Sequence, residues 1–148
     1  RLERVPFHNM EEEILFKRNA IAFYADQNDE PVLIGSDEII GVPLDAYFPN
    51  RKAAILYSST IIRDCLVRRE NAKNWLCLNA GIKLFRFLPK DGNEYDNCVC
   101  ITLPDRTMEA FGMGLQVMFD RIGIPADVDI IRDVIKIKGF SKPGSNSS

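Results

Sequence analysis

The sequence predicts an α/β fold in which a mixed β-sheet is flanked by helices. Short stretches with the two-residue alternation of strands stand between longer stretches with helical periodicity. Residues that begin and end helices bound several of the longer stretches. A chain of 148 residues is long enough to bury the core of one domain. We place that domain at residues 1–140, followed by a flexible tail at 141–148.

The individual elements have different signals. Asn9 is suited to cap a first helix, because Glu11–Glu13 then fall in its first turn, where carboxylates favour the helix dipole. Val42–Phe48 alternates apolar and polar residues, and Gly123 is suited to end the third helix. The predicted elements are, in order, a helix ending near Asp26, strands at Val32–Ile34, Val42–Phe48 and Ala53–Tyr57, a helix at Ile61–Asn79, strands at Ile82–Leu88 and Cys98–Leu103, a helix from Thr107 to about Arg121, and one or two strands within Asp127–Phe140.

The second helix has an apolar arc that predicts which of its faces is buried. At about 100° per residue, the arc also contains Arg69. A charge inside a buried stripe needs a partner, unless the side chain reaches past the helix rim to solvent. The apolar members of the arc are Ile61, Ile62, Cys65, Ala72, Trp75 and Leu76.

Charge is distributed unevenly along the chain. The net charge is −2, yet residues 51–90 hold nine basic and two acidic residues. This basic block predicts contacts with phosphate groups. The alternative is that the block is neutralised within the fold by the acidic segments on either side.

Composition also indicates the class of protein. No apolar run approaches the roughly 20 residues that a membrane span needs, and 46% of the residues are hydrophobic, so we expect a soluble, globular protein without a membrane partner. None of the four cysteines lies in a CxxC pair. This spacing predicts no metal site and favours reduced, mostly buried thiols in a cytoplasmic protein. The cysteines are Cys65, Cys77, Cys98 and Cys100.

Several residues in the centre of the chain share their order and spacing with a known family. They are Asp45 on a strand, Pro49 in the following turn, Lys73 and Asn74 on the long helix, and Gly81, Ile82 and Arg86 around the next strand. This pattern resembles the PD-(D/E)xK nuclease superfamily, in particular its very-short-patch-repair-like branch, which often accompanies zinc ribbons. The resemblance implies a restriction-endonuclease-like fold with the core order α-β-β-β-α-β, here followed by a β-α-β extension.

The same resemblance implies a Mg²⁺-dependent phosphodiesterase site, which this sequence lacks in part. Asp45 would supply one metal ligand, but Leu56 stands where the family has its catalytic Glu, and Ser58 where it has Asp or Lys. Leucine offers no oxygen to a hard cation. We therefore predict a catalytically inactive site without metal or cofactor. Its remnants would be Asp45 and a carboxylate of the first helix, either Glu11 or Glu13.

Three functions stay open from the sequence. The leading prediction is a nuclease-derived domain that binds nucleic acid, or that acts within a nucleic-acid-processing assembly with a protein partner or a flanking domain. The residues predicted to contact nucleic acid are Arg63, Arg68, Lys73 and Arg86. We also predict that Arg69 neutralises Asp45 in place of a cation, because the family's apolar helix face looks toward the strand ends.

The two alternatives differ in chemistry. One is an active Mg²⁺-dependent endonuclease that has a relocated carboxylate. The other is a protein-interaction domain that does not bind nucleic acid. The carboxylates that could be relocated are Glu11–Glu13, Asp37, Glu38 and Asp64.

Overall fold

The computed structural model describes residues 4–58, 64–92 and 94–141 of the chain. Within them, a five-stranded mixed sheet is flanked by four helices, which confirms the predicted α/β class. The predicted tail falls almost wholly outside the described residues. The elements are α1 (Met10–Gln27), β1 (Leu33–Ile34), β2 (Ala46–Phe48), β3 (Ala53–Tyr57), α2 (Asp64–Asn79), β4 (Lys83–Leu88), β5 (Val99–Thr102), α3 (Met108–Ile122) and α4 (Ile130–Lys138).

The strands lie side by side in chain order, from β1 to β5. The first three pair antiparallel, whereas β4 runs parallel to β3 and β5 runs parallel to β4. Parallel neighbours need a crossover connection, and α2 lies in the one between β3 and β4. The carboxyl ends of β3, β4 and β5 therefore meet at one edge of the sheet. Antiparallel β2 begins at the same edge, directly after Asp45.

The two faces of the sheet carry two separate hydrophobic clusters. The larger one packs the sheet against α1, α3 and α4 and is rich in phenylalanine, including Phe48, Phe85 and Phe119. The smaller one packs the opposite face against α2, through Cys77. Burial of both faces explains why β3 is an apolar run and why β4 is apolar except for Lys83 and Arg86.

The predicted helix ends of α1 and α3 are confirmed. The Asn9 side chain accepts a hydrogen bond from the Glu12 N–H (2.8 Å), and the Thr107 hydroxyl accepts one from the Ala110 N–H (3.2 Å). Gly123 takes the left-handed conformation, with φ of 82°, that glycine adopts without strain. These signals are local, so the sequence was sufficient to place them.

The second strand is shorter than predicted. It covers Ala46–Phe48 rather than Val42–Phe48. Pro43 has no N–H to donate to a strand ladder, and the Leu44 N–H bonds to the Ser36 carbonyl (3.0 Å). Asp45 still lies beside β3, since its N–H donates to the Ile55 carbonyl (3.0 Å).

The prediction of strands within Asp127–Phe140 is wrong, because this segment forms α4. The Asp129 side chain caps the helix by accepting from the Arg132 N–H (3.1 Å). Ile130, Asp133 and Ile137 recur at helical spacing and are buried. Asp133 accepts a hydrogen bond from the Tyr24 hydroxyl (2.8 Å) and also pairs with Arg132. The predicted β-α-β extension is therefore a β-α-α extension, which consists of β5, α3 and α4.

The predicted buried face of α2 is also wrong in the part that the structure describes. Trp75 is 53% exposed and Leu76 is 43% exposed, whereas Asn74 and Cys77 are fully buried. Ile61 and Ile62 lie outside the described residues. The helix is therefore turned so that polar Asn74, rather than the apolar arc, faces the sheet.

We predict that Gly112→Ala destabilises the fold through the contact between α3 and α4. A Cβ at this position would lie 2.5 Å from Cγ1 of Ile130 on α4. Overpacking of this kind costs about 1–3 kcal/mol, against a gain of roughly 1 kcal/mol for alanine in a helix, so we expect a net loss of up to about 2 kcal/mol. Urea denaturation measures the change in the free energy of unfolding.

Gly139→Ala is the matched control, since its added Cβ would meet nothing closer than 3.5 Å. Combining Gly112→Ala with Ile130→Ala should give less than the sum of the two separate losses. Additive effects would show that residue 112 does not pack against α4.

Candidate functional site

A cleft opens at the sheet edge where β3 and β4 end. Ligands of α/β proteins commonly bind beyond the carboxyl ends of parallel strands. The cleft has a volume of about 470 Å³, which suits a ligand of nucleotide size. Its lining residues are Phe7, Met10, Glu13, Ile14, Lys17, Arg18, Asp45, Tyr57, Ser58, Phe87, Leu88, Pro89, Leu103 and Arg106.

Asp45 lies on the floor of this cleft. One carboxylate oxygen accepts a hydrogen bond from the Tyr57 N–H (2.9 Å), which ties the end of β3 to the start of β2. Burial raises the pKa of the Asp45 carboxyl. The Tyr57 hydrogen bond and the positive charges of Arg18, Lys17 and Arg86 oppose that rise without cancelling it.

Glu13 lines the same cleft from α1, as the resemblance implied for a carboxylate of the first helix. It is buried, and its two carboxylate oxygens pair with Lys17 (2.7 Å) and with Arg106. Burial alone would raise the pKa of Glu13, but the hydrogen bonds and charges of its two partners outweigh this effect and lower the pKa. Glu11, the other candidate, is exposed and does not line the cleft.

Lys17 connects the charged and aromatic parts of the cleft. Its ammonium lies 4.7 Å from the ring centre of Tyr57 and 5.5 Å from that of Phe111. Cation–π attraction at these distances holds the ammonium beside Glu13. The Tyr57 hydroxyl is buried and has no hydrogen-bond partner among the described residues.

The cleft does not fit a divalent cation. Leu56, which stands where the resemblance would require a second metal ligand, is 5% exposed and part of the smaller hydrophobic cluster. Both oxygens of Glu13 are already paired with cationic side chains. Of the carboxylates that could be relocated, Glu13 is the only one whose described side chain lines the cleft; Asp64 has no described side chain. The described residues contain no group of three or more His, Cys, Asp and Glu that could hold a metal ion.

Arg86 is fully buried, so the prediction that it contacts nucleic acid is wrong. Its guanidinium donates twice to the Asn74 side-chain oxygen, at 2.9 and 3.1 Å. It also donates to the Glu70 carboxylate (2.7 Å) and stacks 4.8 Å from the ring centre of Tyr95. Glu70 in turn pairs with Lys73 (2.8 Å). We call Arg86, Glu70, Asn74 and Lys73 the Arg86 network.

Of the other predicted residues, Arg68 is exposed on α2, and Arg63 lies outside the described residues. Arg69 is also exposed, and the positive charges that act on Asp45 are those of Arg18, Lys17 and Arg86, so the predicted pair of Arg69 with Asp45 is wrong. The Arg86 network determines this orientation of Arg69. Because Glu70 and Asn74 face the sheet to contact Arg86, Arg69 faces away from the sheet.

Three cationic residues of the cleft were missed by sequence reasoning. Lys17 follows Glu13 by four residues, a spacing that favours an ion pair on a helix. That signal was present in the sequence. Arg18 lies next to it, but Arg106 is 93 residues from Glu13 and no local pattern joins the two.

Comparisons of this chain with protein-family models, curated proteins and solved structures find no match in any of the three. None of the described helices is both long enough and apolar enough to cross a membrane. The assignment of function therefore depends on the geometry of the cleft and on the order of the elements.

We predict that Arg86→Met destabilises the protein by about 3–5 kcal/mol, because it leaves Glu70 and Asn74 facing the sheet without their partner. Adding Glu70→Gln should recover part of this loss, since it removes a partly buried carboxylate that Lys73 alone would then neutralise. Arg69→Met removes an exposed arginine from the same region and should change stability by less than about 0.5 kcal/mol. Chemical denaturation of the four proteins provides the test. Equal effects of Arg86→Met and Arg69→Met would contradict the network.

We predict that Asp45→Asn stabilises the protein at neutral pH. Because burial raises the pKa of Asp45 in the folded state, that state binds the proton more tightly than the unfolded chain does. Stability therefore falls as pH rises from the unfolded pKa, about 3.9, through the folded pKa. Removing the charge should raise the melting temperature near neutral pH, by about 2–4 °C for each kcal/mol.

Below the unfolded pKa the two proteins should melt alike, since Asp45 is then protonated in both states. Asp37→Asn, at an exposed position, is the control. A lower melting temperature for Asp45→Asn at neutral pH would show that the cleft favours the ionised carboxylate.

Proposed function

We propose that this chain is a nuclease-derived domain of the restriction-endonuclease-like kind, that it has lost phosphodiester cleavage, and that it binds nucleic acid through its cleft. The order of the elements supports the first part. The element order α1-β1-β2-β3-α2-β4 matches the α-β-β-β-α-β core that the resemblance implied. Asp45 and Glu13, the acidic residues that the resemblance marks, both line the cleft.

The chemistry of the cleft supports the loss of cleavage. Metal-assisted hydrolysis needs carboxylates that converge on a cation, and an activated water. Here the second ligand position is the alkyl side chain of Leu56, and Glu13 is held by Lys17 and Arg106. The cleft residues can orient and bind a phosphate, but they supply no strong nucleophile.

The observation that carries the proposal is the clustering of Lys17, Arg18 and Arg106 around Asp45 and Glu13. Three basic and two acidic side chains leave the cleft positive, although the whole chain has a net charge of −2. Arg18 is exposed, and the side chain of Arg106 is 63% exposed. Both are accessible to a phosphate group that enters the cleft.

The predicted nucleic-acid surface therefore moves from α2 to the cleft. Of the four predicted contacts, Arg86 on β4 is buried and Lys73 on α2 is paired with Glu70. The apolar walls of the cleft, such as Ile14 and Leu103, can contact bases or sugars. Combined charge and apolar surface is typical of sites that bind single strands.

We predict salt-dependent binding of single-stranded DNA or RNA that requires the cleft. Three cationic contacts give a slope of about −2 for the logarithm of the association constant against the logarithm of salt concentration. Arg18→Ala combined with Arg106→Ala should bring the slope to about −0.7. Fluorescence anisotropy of a labelled oligonucleotide over a salt series measures both values.

Arg68→Ala combined with Arg69→Ala is the matched control, because it removes the same charge from exposed positions on α2. Retained binding in this control and lost binding in the cleft variant would support the proposal. The opposite result would return the interface to α2. Cleavage of plasmid or RNA in Mg²⁺ or Mn²⁺ that Asp45→Ala abolishes would overturn the loss of catalysis.

A different observation favours the protein-interaction alternative. Trp75, Leu76 and Leu78 of α2 are all large apolar side chains and are each at least 43% exposed. Large apolar side chains grouped on one helix are a feature of protein-interaction surfaces. A chain that binds neither single-stranded nor duplex nucleic acid at low salt would favour this alternative.

A further inference from the structure

Two cysteine side chains converge beside the Arg86 network, outside the cleft. The Cys98 and Cys100 sulfurs are 3.8 Å apart, and each lies 3.7 Å from the Tyr95 carbonyl oxygen. Cys100 lies on β5, and Cys98 lies directly before the strand begins, so that only Val99 separates the two cysteines. The bend before β5, where Asn97 has φ of 60°, lets the chain bring both sulfurs near Tyr95.

Both thiols are partly exposed, unlike Cys77, which is fully buried. They are therefore accessible to an ion from solvent, while each sulfur also contacts the Tyr95 carbonyl oxygen.

We propose that Cys98 and Cys100 form a two-thiolate binding site for Cu(I). Thiolate sulfur is a soft ligand that selects soft ions, and Cu(I) is satisfied by two thiolates. Zinc is excluded, because it takes four ligands and the described residues offer no third Cys, His, Asp or Glu at this place. Hard cations such as Mg²⁺ and Ca²⁺ prefer oxygen ligands.

The surroundings of the pair complement the charge of such a complex. Two thiolates and one Cu(I) carry a net charge of −1. Glu70 and Lys73 balance each other, which leaves the positive charge of Arg86 close to Cys98. The Asn74 side-chain amide, held by Arg86, also directs a donor at the Cys98 sulfur (3.6 Å). Asp96 opposes this attraction from an exposed position.

Binding involves proton release and no redox step. The two thiols give up their protons to solvent, each sulfur forms a bond to copper, and the ion stays Cu(I) throughout. The affinity should therefore rise with pH, as for any site whose ligands must be deprotonated.

The test is an anaerobic titration of the reduced chain with Cu(I), with bicinchoninate as the competing chromophoric ligand. We expect one Cu(I) per chain and two sulfur neighbours by X-ray absorption. Cys98→Ser and Cys100→Ser should each weaken binding by about 100-fold or more, because the second thiolate acts at high effective concentration. Cys77→Ala is the matched control and should bind as the unsubstituted chain does.

A readout on the unsubstituted chain covers the case in which a serine variant fails to fold. Bound Cu(I) should protect residues 98 and 100, and not 77, from alkylation by iodoacetamide, as mapped by mass spectrometry. Undiminished binding by the doubly substituted Cys98→Ser, Cys100→Ser chain would overturn the proposal. One Cu(I) shared by two chains, or unchanged alkylation of both residues, would also overturn it.

Discussion

The buried guanidinium of Arg86 is the interaction on which the arrangement of α2 depends. An arginine in the middle of a sheet is costly unless its donors are satisfied. Here Asn74 accepts two hydrogen bonds, and Glu70 accepts through both its carboxylate and its main-chain carbonyl. Because these partners lie on successive turns of α2, they determine both the position of the helix and its rotation about its own axis. We infer that the network provides structural specificity more than stability.

That rotation decides which residues of α2 meet solvent. With Glu70, Asn74 and Cys77 facing the sheet, Trp75 and Arg69 are directed outward. Asp45 therefore finds its nearest positive charges on α1 and not on α2. The cleft and the Arg86 network thus lie on opposite sides of the same strand ends. Positive charges from both, namely those of Arg18, Lys17 and Arg86, act to lower the pKa of Asp45. The basic residues that line the cleft therefore come from α1 and from Arg106, while Arg69 faces solvent on α2.

The sequence could predict what depends on neighbours along the chain. Helix caps at Asn9 and Thr107 are local hydrogen bonds, and β3 is a simple apolar run. The buried face of α2 could not be predicted in the same way. A periodicity argument assigns the apolar residues of a helix to the core, and nothing in it indicates that polar Asn74 is buried. The β-branched residues of α4 favour a strand in a prediction from local sequence. The segment is instead a helix that packs on α1 and α3. In the cleft, Asp45 and Glu13 were predicted, whereas the pairing of Glu13 with Arg106 needed the folded chain.

The short first strand has a consequence for association between molecules. An edge strand presents unpaired N–H and C=O groups, which can recruit a strand from another chain. Here β1 has two residues and is followed by Gly35 with φ of 68°, so the backbone turns away from the strand direction at once. A second chain would find almost no continuous ladder on this side of the sheet. The exposed Leu33 side chain therefore lies on an edge that offers little template for aggregation.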